Sequence, residues 1–290
     1  FYNNVFDGCE SLHTVKLPKN TPGDFIIPMA TFSWCSSLKS IEFPANTYRI
    51  DQLAFYRTGI ENLDLTTITS NEIFVEGYYT FAACESLKSV TANGNFRFSN
   101  TSLYTFQDCK ALKTFTVNGS GDDYIKITPD AFRWCENLES VNVYRLKGTG
   151  ENNEMDSVFV GCKSLKEVIS TCEPEVNKVG YSCFLDCESL ETVTLPKQAF
   201  KVNESAFKGC AALQSLDLAN VTTIGIKAFT GCGALASINF NTLSDNLPTV
   251  ANENAFDEWH YANTAIKVPD PKYSEFAADA FWSKFLQLQH

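Results

Sequence analysis

The chain is short of positive charge and nearly without histidine: 23 Lys and Arg stand against 34 Asp and Glu, a net charge of −11, with only three His in 290 residues. That deficit argues against a nucleic-acid partner, whose phosphates are neutralised by Lys and Arg, and against anionic membrane surfaces. No run of about 18 apolar residues exists, so no helical membrane span is predicted. The opening Phe1-Tyr2-Asn3-Asn4 has neither the basic segment nor the apolar stretch of a secretion signal. What remains is a core-forming composition, 44% hydrophobic and 20% charged, with 23 Phe and 11 Cys.

The Phe and Cys residues are periodic. A Phe is followed three residues later by Cys, then by Leu, then by two alternating apolar positions, as in Phe6-Cys9-Leu12-Val15-Leu17, Phe32-Cys35-Leu38-Ile41-Phe43, Phe132-Cys135-Leu138-Val141-Val143, Phe184-Cys187-Leu190-Val193-Leu195 and Phe229-Cys232-Leu235-Ile238-Phe240. Phe81, Phe106, Phe159 and Phe207 start further copies. Phe55 starts a degenerate one with Thr58 in the Cys place, and Phe256 the last, where the coil is altered. Units of this length cannot bury their apolar residues alone and must stack. Alternation puts Ile41 and Phe43 inward and Ser40 and Glu42 outward. Ile27, Ile50, Ile127, Val179, Val202 and Ile224, five residues before a Phe, form the far wall of the same core.

These residues resemble the BspA-type (Treponema-like) leucine-rich repeats, whose pattern Ala-Phe-x-x-Cys-x-x-Leu-x-x-Val-x-Leu-Pro matches roughly residues 5 to 268. The resemblance implies a mainly-β or α/β, right-handed leucine-rich-repeat solenoid of about eleven coils, here expected to carry one parallel sheet along one face. It also implies an exported, non-enzymatic surface module for adhesion or protein-protein interaction. Its partner would be an extracellular protein or host matrix macromolecule, or, in the alternative of a carbohydrate-binding accessory protein, a glycan.

The solenoid is assigned to residues 1–268 and a capping helix to 269–290. Asp270-Pro271 suits a helix start, and Tyr273, Phe276, Ala277, Ala280, Phe281 and Leu288 recur at helical spacing. Phe1 to Val5 runs straight into the first repeat, which predicts that the native chain continues upstream.

The candidate sites are few. Nine Cys occupy equivalent places in successive repeats, a column expected to be buried and reduced because its side chains point in parallel. Paired spacings and His partners for zinc are missing, so neither metal nor cofactor is expected. Cys9 is predicted inward and His13 outward, which denies them catalytic contact. Gly119-Ser120-Gly121-Asp122-Asp123 and the 148–154 segment are read as solvated turns, not calcium loops, and Cys172 lies in a turn without an obvious partner.

Binding residues are sought on exposed columns instead. The residue before the Cys is usually Gly or Asp, yet it is Trp34 and Trp134 in two repeats, with Tyr56 one coil on from Trp34. Such aromatics suit sugar stacking or protein hot spots. The expected sheet surface is rich in Ser and Thr, and its lysines, Lys39, Lys88 and Lys113 among them, lie toward the N-terminal end while four of its six acids lie from the sixth coil onward. That gradient would orient a charged partner.

Overall fold

A computed structural model describes residues 2–289 apart from 20, 149–154, 172–174, 196–199, 219 and 241–245. Eleven phenylalanines, Phe6 to Phe256, form one unbroken stack along the solenoid, with ring centroids 4.9–5.7 Å apart and interplanar angles of 4–24°. All but Phe6 are buried, each contributing about 1.5–3 kcal/mol by removal from water. The Phe amides from Phe6 to Phe229 also donate to the next coil, as Phe32 N does to the Ala54 carbonyl (2.9 Å) and Phe132 N to that of Val158 (3.0 Å).

The apolar alternation forms the expected strands, all parallel, at Asn62–Asp64, Ser89–Ala92, Thr114–Val117, Ser140–Val143 and Glu167–Ser170. Leu63, Val90, Phe115, Val141 and Val168 lie in register across them. After a break the sheet resumes with Ser215–Asp217, Ser237–Asn239, Ala265–Lys267 and Gln287–Gln289.

The expectation of one sheet needs correction. The far wall is itself stranded: Phe25–Ile27, Thr47–Ile50, Ile73–Val75 and Phe96–Phe98 pair in parallel, followed by Ile125–Lys126 with Leu146–Lys147, then Lys178–Val179, Lys201–Val202, Thr223–Ile224 and Thr249–Val250. The coils of Phe55 to Phe159 and of Phe207 to Phe256 thus each have two short strands flanking one core. The reason lies in the Phe turn between them, which holds left-handed residues at both ends: Ala30 and Trp34 (φ 52° and 60°), Asp130 and Trp134 (56° and 58°), Ser205 and Gly209 (56° and 79°). These reverse the chain sharply enough to leave an extended segment on either side.

The C-terminal end is also more varied than a single helix. The chain makes α-helices at Glu258–Asn263 and Tyr273–Ala278 and a 3₁₀ turn at Trp282–Lys284, then returns as the strand Gln287–Gln289, where Leu288 pairs with Ile266. Leu288, expected on the helix, therefore extends the sheet. Trp282 closes the core, its ring 5.3 Å from Phe240 and 5.4 Å from Phe276 and its Nε1 donating to the Pro248 carbonyl (3.0 Å).

The cysteine column is free of disulfides among the described residues, and buried except at Cys9, in the first coil, which is exposed. Cys172 lies outside the described residues. The burial has a bonded counterpart: Cys35, Cys84, Cys109, Cys135, Cys162, Cys187, Cys210 and Cys232 each donate Sγ–H to the Phe carbonyl of the preceding coil, at 3.0–3.1 Å. At the degenerate coil Thr58 is buried with Oγ1 3.2 Å from Cys84 Sγ.

Two outcomes follow. Burial pushes the Cys35 thiol up to about 11 and that of Cys232 up to about 12, from an ordinary 9.0. Above pH 9.0 the unfolded chain sheds thiol protons that the native chain keeps, so stability falls as pH rises through this window. Urea unfolding from about pH 8 to pH 11 should show that decline, and a flat profile would contradict protonated buried thiols. At the break in the first sheet, residues 192–195 pair with no strand and Val193 and Leu195 are half-buried, whereas Val141 and Val143 are buried. Hydrogen exchange should find amides 192–195 opening sooner than 141–143, and equal protection would show a closed seam.

Candidate functional site

The residue before each Cys stands in the left-handed region, which explains why that column favours Gly and Asp. Trp34 and Trp134 occupy it against that preference and are 44% and 42% exposed. Trp34 meets Tyr56 edge-on at 5.9 Å, and the Arg57 guanidinium lies 4.4 Å from the Trp34 ring centre and 5.5 Å from that of Tyr56. Arg57 Nε also donates to the Tyr56 hydroxyl at 3.1 Å.

The cluster continues beyond the residues singled out from sequence. Tyr79 meets Tyr56 at 6.3 Å and stacks on Tyr104 at 5.0 Å, which makes a ridge of four aromatic rings and one guanidinium across four coils. Partial burial, then the neighbouring Tyr104, raises the Tyr79 phenol above its ordinary value. Tyr79 and Tyr104 sit two residues before a Phe, Tyr56 one after and Trp34 two after. No single repeat column holds the ridge. Aromatics at a position held elsewhere by Ser182, Ser205 and Asp130 were the available signal.

Trp134 is not part of this ridge. It lies four coils from Trp34, packs against Gly161 of the next coil, and has the Arg133 guanidinium 4.7 Å from its ring centre.

The three lysines share the first-sheet edge. Their column interleaves with acids: Lys88 pairs with Glu61 at 2.7 Å and Lys113 with Glu139 at 3.3 Å. The Lys88 hydrogen bond holds the Glu61 carboxyl below the usual carboxylate range. The neighbouring hydroxyl column is linked as well, with Ser89 Oγ donating to Asn62 Oδ1 at 2.8 Å.

Other candidates supply less. Cys9 and His13 are both exposed, so the inward placement expected for Cys9 fails in this coil, and His13 Nδ1 lies 2.7 Å from the Ser11 carbonyl. Ser120 N donates to Asp123 Oδ2 (2.9 Å) and Asp123 N returns to the Ser120 carbonyl (3.1 Å), a self-bonded turn. A cleft of about 170 Å³ opens at the sheet break between Leu146, Val168, Phe184, Val193 and Leu195. It is smaller than the roughly 300–1,000 Å³ of ordinary ligand pockets. No helix among the described residues is long and apolar enough to cross a membrane.

Among solved structures, the chain is similar to a leucine-rich repeat protein from Bacteroides ovatus, at 20% identity and TM-score 0.40, covering 86% of this chain and 79% of that one. It is similar also to a leucine-rich cell surface protein from Faecalibacterium prausnitzii, at 22% identity and TM-score 0.44, covering 81% of this chain and 61% of the other. A third is the pneumococcal vaccine antigen PcpA, at 15% identity and TM-score 0.33, covering 84% of this chain and 69% of that one. No curated protein sequence matches it. The profile of the BspA type leucine rich repeat region matches in six copies, over residues 1–139, 67–168 and 126–263. With that match spanning the coils in which the Phe stack and the Cys latch recur, the chain belongs to the BspA-type leucine-rich repeat family.

Proposed function

We propose that this chain is a non-enzymatic interaction module of an exported, cell-surface or secreted protein, and that it holds an extracellular protein or host matrix macromolecule. The observation that carries this reading is the ridge of Trp34, Tyr56, Arg57, Tyr79 and Tyr104. Trp, Tyr and Arg are the residues in which interface binding energy concentrates. Here they cluster on a rigid edge, so little ordering cost opposes binding. Lys39, Lys88, Lys113 and the hydroxyl-rich first sheet give that partner a polar flank, and Trp134 a second, separate anchor.

The glycan alternative draws on the same aromatics, but the geometry favours protein. Sugar stacking needs an open ring face, whereas Arg57 lies over Trp34 and Arg133 over Trp134. A guanidinium already seated on a ring presents a mixed cationic and apolar surface, suited to carbonyl and carboxylate groups.

The left-handed backbone supplies a clean test. Gly relieves the cost of φ +60° at Trp34, about 1 kcal/mol. Trp34→Gly should therefore keep its melting temperature while weakening association by tenfold or more, as expected for loss of a hot spot of about 2 kcal/mol. Surface plasmon resonance against a panel of purified host matrix proteins, with a glycan array alongside, reads both. Binding that Trp34→Gly leaves unchanged, or no binding on either panel, would overturn the assignment; binding confined to glycans would establish the alternative.

A further inference from the structure

The second sheet, absent from the sequence-based expectation, turns a distinct column of side chains outward. Its register aligns Arg49 with Phe74 and Phe74 with Arg97, Lys126 with Lys147, and Lys178 with Lys201. From Phe96–Phe98 to Lys201–Val202, five successive coils each project one base: Arg97, Lys126, Lys147, Lys178 and Lys201. In a chain of net charge −11 this is a marked local reversal of sign.

Carboxylates offset it only in part. Arg49 is paired with Asp51 (2.6 Å), Arg97 with Glu72 (3.5 Å) and Lys147 with Glu175 (2.8 Å). Among the described residues, Lys126 and Lys201 have no ion-pair partner. Aromatic rings hold several of the bases in place. The Tyr124 ring centre lies 5.0 Å from the Arg97 guanidinium and 4.4 Å from the Lys147 ammonium, and Phe200 lies 5.7 Å from Lys178. Beside them an open groove of about 510 Å³ runs between Phe74, Arg97, Tyr124 and Lys126, rimmed by Ser99 and Thr101 and, on the acidic side, by Glu72 and Glu76.

The spacing and the ring contacts select among polyanions. Coils of a parallel sheet recur at about 4.8 Å, so Lys126 and Lys147, and again Lys178 and Lys201, stand one coil apart at that interval, with Glu175 opposite Lys147 where the two pairs meet. A sugar unit of an unbranched acidic polysaccharide spans roughly the same strand spacing and carries about one anionic group. An extended acidic peptide presents same-face side chains only every second residue, about 6.6 Å, and falls out of step. Single-stranded nucleic acid needs aromatic faces for base stacking, and here Tyr124 and Phe200 are engaged by cations.

We propose that this outward column is a binding site for an unbranched acidic polysaccharide, whose sulfate or carboxylate groups meet Arg97, Lys126, Lys147, Lys178 and Lys201 in turn while its hydroxyls reach Ser99 and Thr101. The site lies on a different wall from the first-sheet lysines and is independent of the aromatic ridge.

Affinity chromatography of the full chain tests it, with immobilised heparin as the sulfated probe, alginate as the carboxylated one and dextran as the uncharged control. The chain should be retained by heparin, alginate or both at low salt, released as salt rises, and pass through dextran. Lys126→Gln with Lys201→Gln, which leaves no carboxylate orphaned, should weaken retention about tenfold, as expected for two surface cations near an anionic polymer. Circular dichroism and melting temperature should stay unchanged. Lys88→Gln with Lys113→Gln and Trp34→Gln should each bind as the parent does, which separates this site from the aromatic ridge. Absence of retention on both acidic polysaccharides, equal retention of the Lys126 and Lys201 variant, or binding of poly-glutamate or a single-stranded oligonucleotide as tight as that of the polysaccharides would overturn the proposal.

Discussion

Everything in this molecule depends on how one coil is locked to the next. Strands of two to four residues are too short to hold a sheet together by their own ladders. The phenylalanine stack and the cysteine latch make up the difference. A Phe ring lies face to face with its neighbours while the same residue's carbonyl receives the following coil's Sγ–H. The ring demands an apolar interior and the carbonyl demands a donor, and a thiol answers both as a small hydrophobe with a weak donor. A serine would bring a stronger donor with a shorter reach and a larger cost of burial. Parallel thiols, each aimed at a carbonyl, are also the reason a column of cysteines stays unoxidised: none faces another as a disulfide requires.

The ends show what the latch supplies by where it stops. Cys9, in the first coil, is exposed and makes no such bond among the described residues. After the last latch, Cys232, the pattern is replaced by His260, fully buried with Nε2 3.1 Å from the Cys232 carbonyl and Nδ1 accepting from Asp257 N at 3.0 Å. An imidazole with both nitrogens satisfied ends the column without an orphaned polar group. Trp282 and Phe285 then cover Phe256, and Lys284 ties the closing turn to Glu253 at 2.7 Å. The open face of a solenoid must be covered in this way to stay out of water.

The sequence showed the parts of this that recur at one position. The Phe stack, the Cys column and the register of Leu63, Val90, Phe115, Val141 and Val168 follow from side chains that every coil repeats. The second sheet escaped because its inward residues had been assigned only as a wall, and because coil lengths vary on that side: Arg97 precedes its Phe by nine residues, Lys126 and Lys201 by six. Alignment on Phe scatters the bases that the backbone gathers. The tail misled for a different reason, since aromatic residues around a small core satisfy helical spacing whether they come from a helix, a 3₁₀ turn or a strand. On the aromatic edge, Trp34 and Trp134 were visible as departures from a Gly and Asp column, and Tyr56 as the aromatic one coil on from Trp34. Tyr79 and Tyr104 were not, because the ridge crosses columns as the Phe turn bends.

That division between what repeats and what varies is also the division between fold and recognition. Inward positions answer to neighbouring coils, so one substitution is felt along the stack, whereas an outward side chain answers only to its flanking coils. The left-handed residues extend this freedom to the turn itself: once the Phe turn demands φ near +60°, Gly costs least, but any residue whose side chain gains enough from its surroundings is tolerated. Trp34 gains contacts with Tyr56 and Arg57, and Trp134 gains Gly161, whose missing Cβ leaves the space its ring fills. The same logic sorts charge. Along the first sheet, lysine and glutamate alternate in the Lys88–Glu61 and Lys113–Glu139 pairs and their fields cancel. On the second sheet, successive bases face the same way: Arg97 and Lys147 share the Tyr124 ring and are paired with Glu72 and Glu175, while Lys126 and Lys201 have no ion-pair partner among the described residues. A net negative charge keeps the rest of the surface from competing for an anionic ligand, so a column of bases only partly offset by acids is more selective on such a molecule than on a basic one.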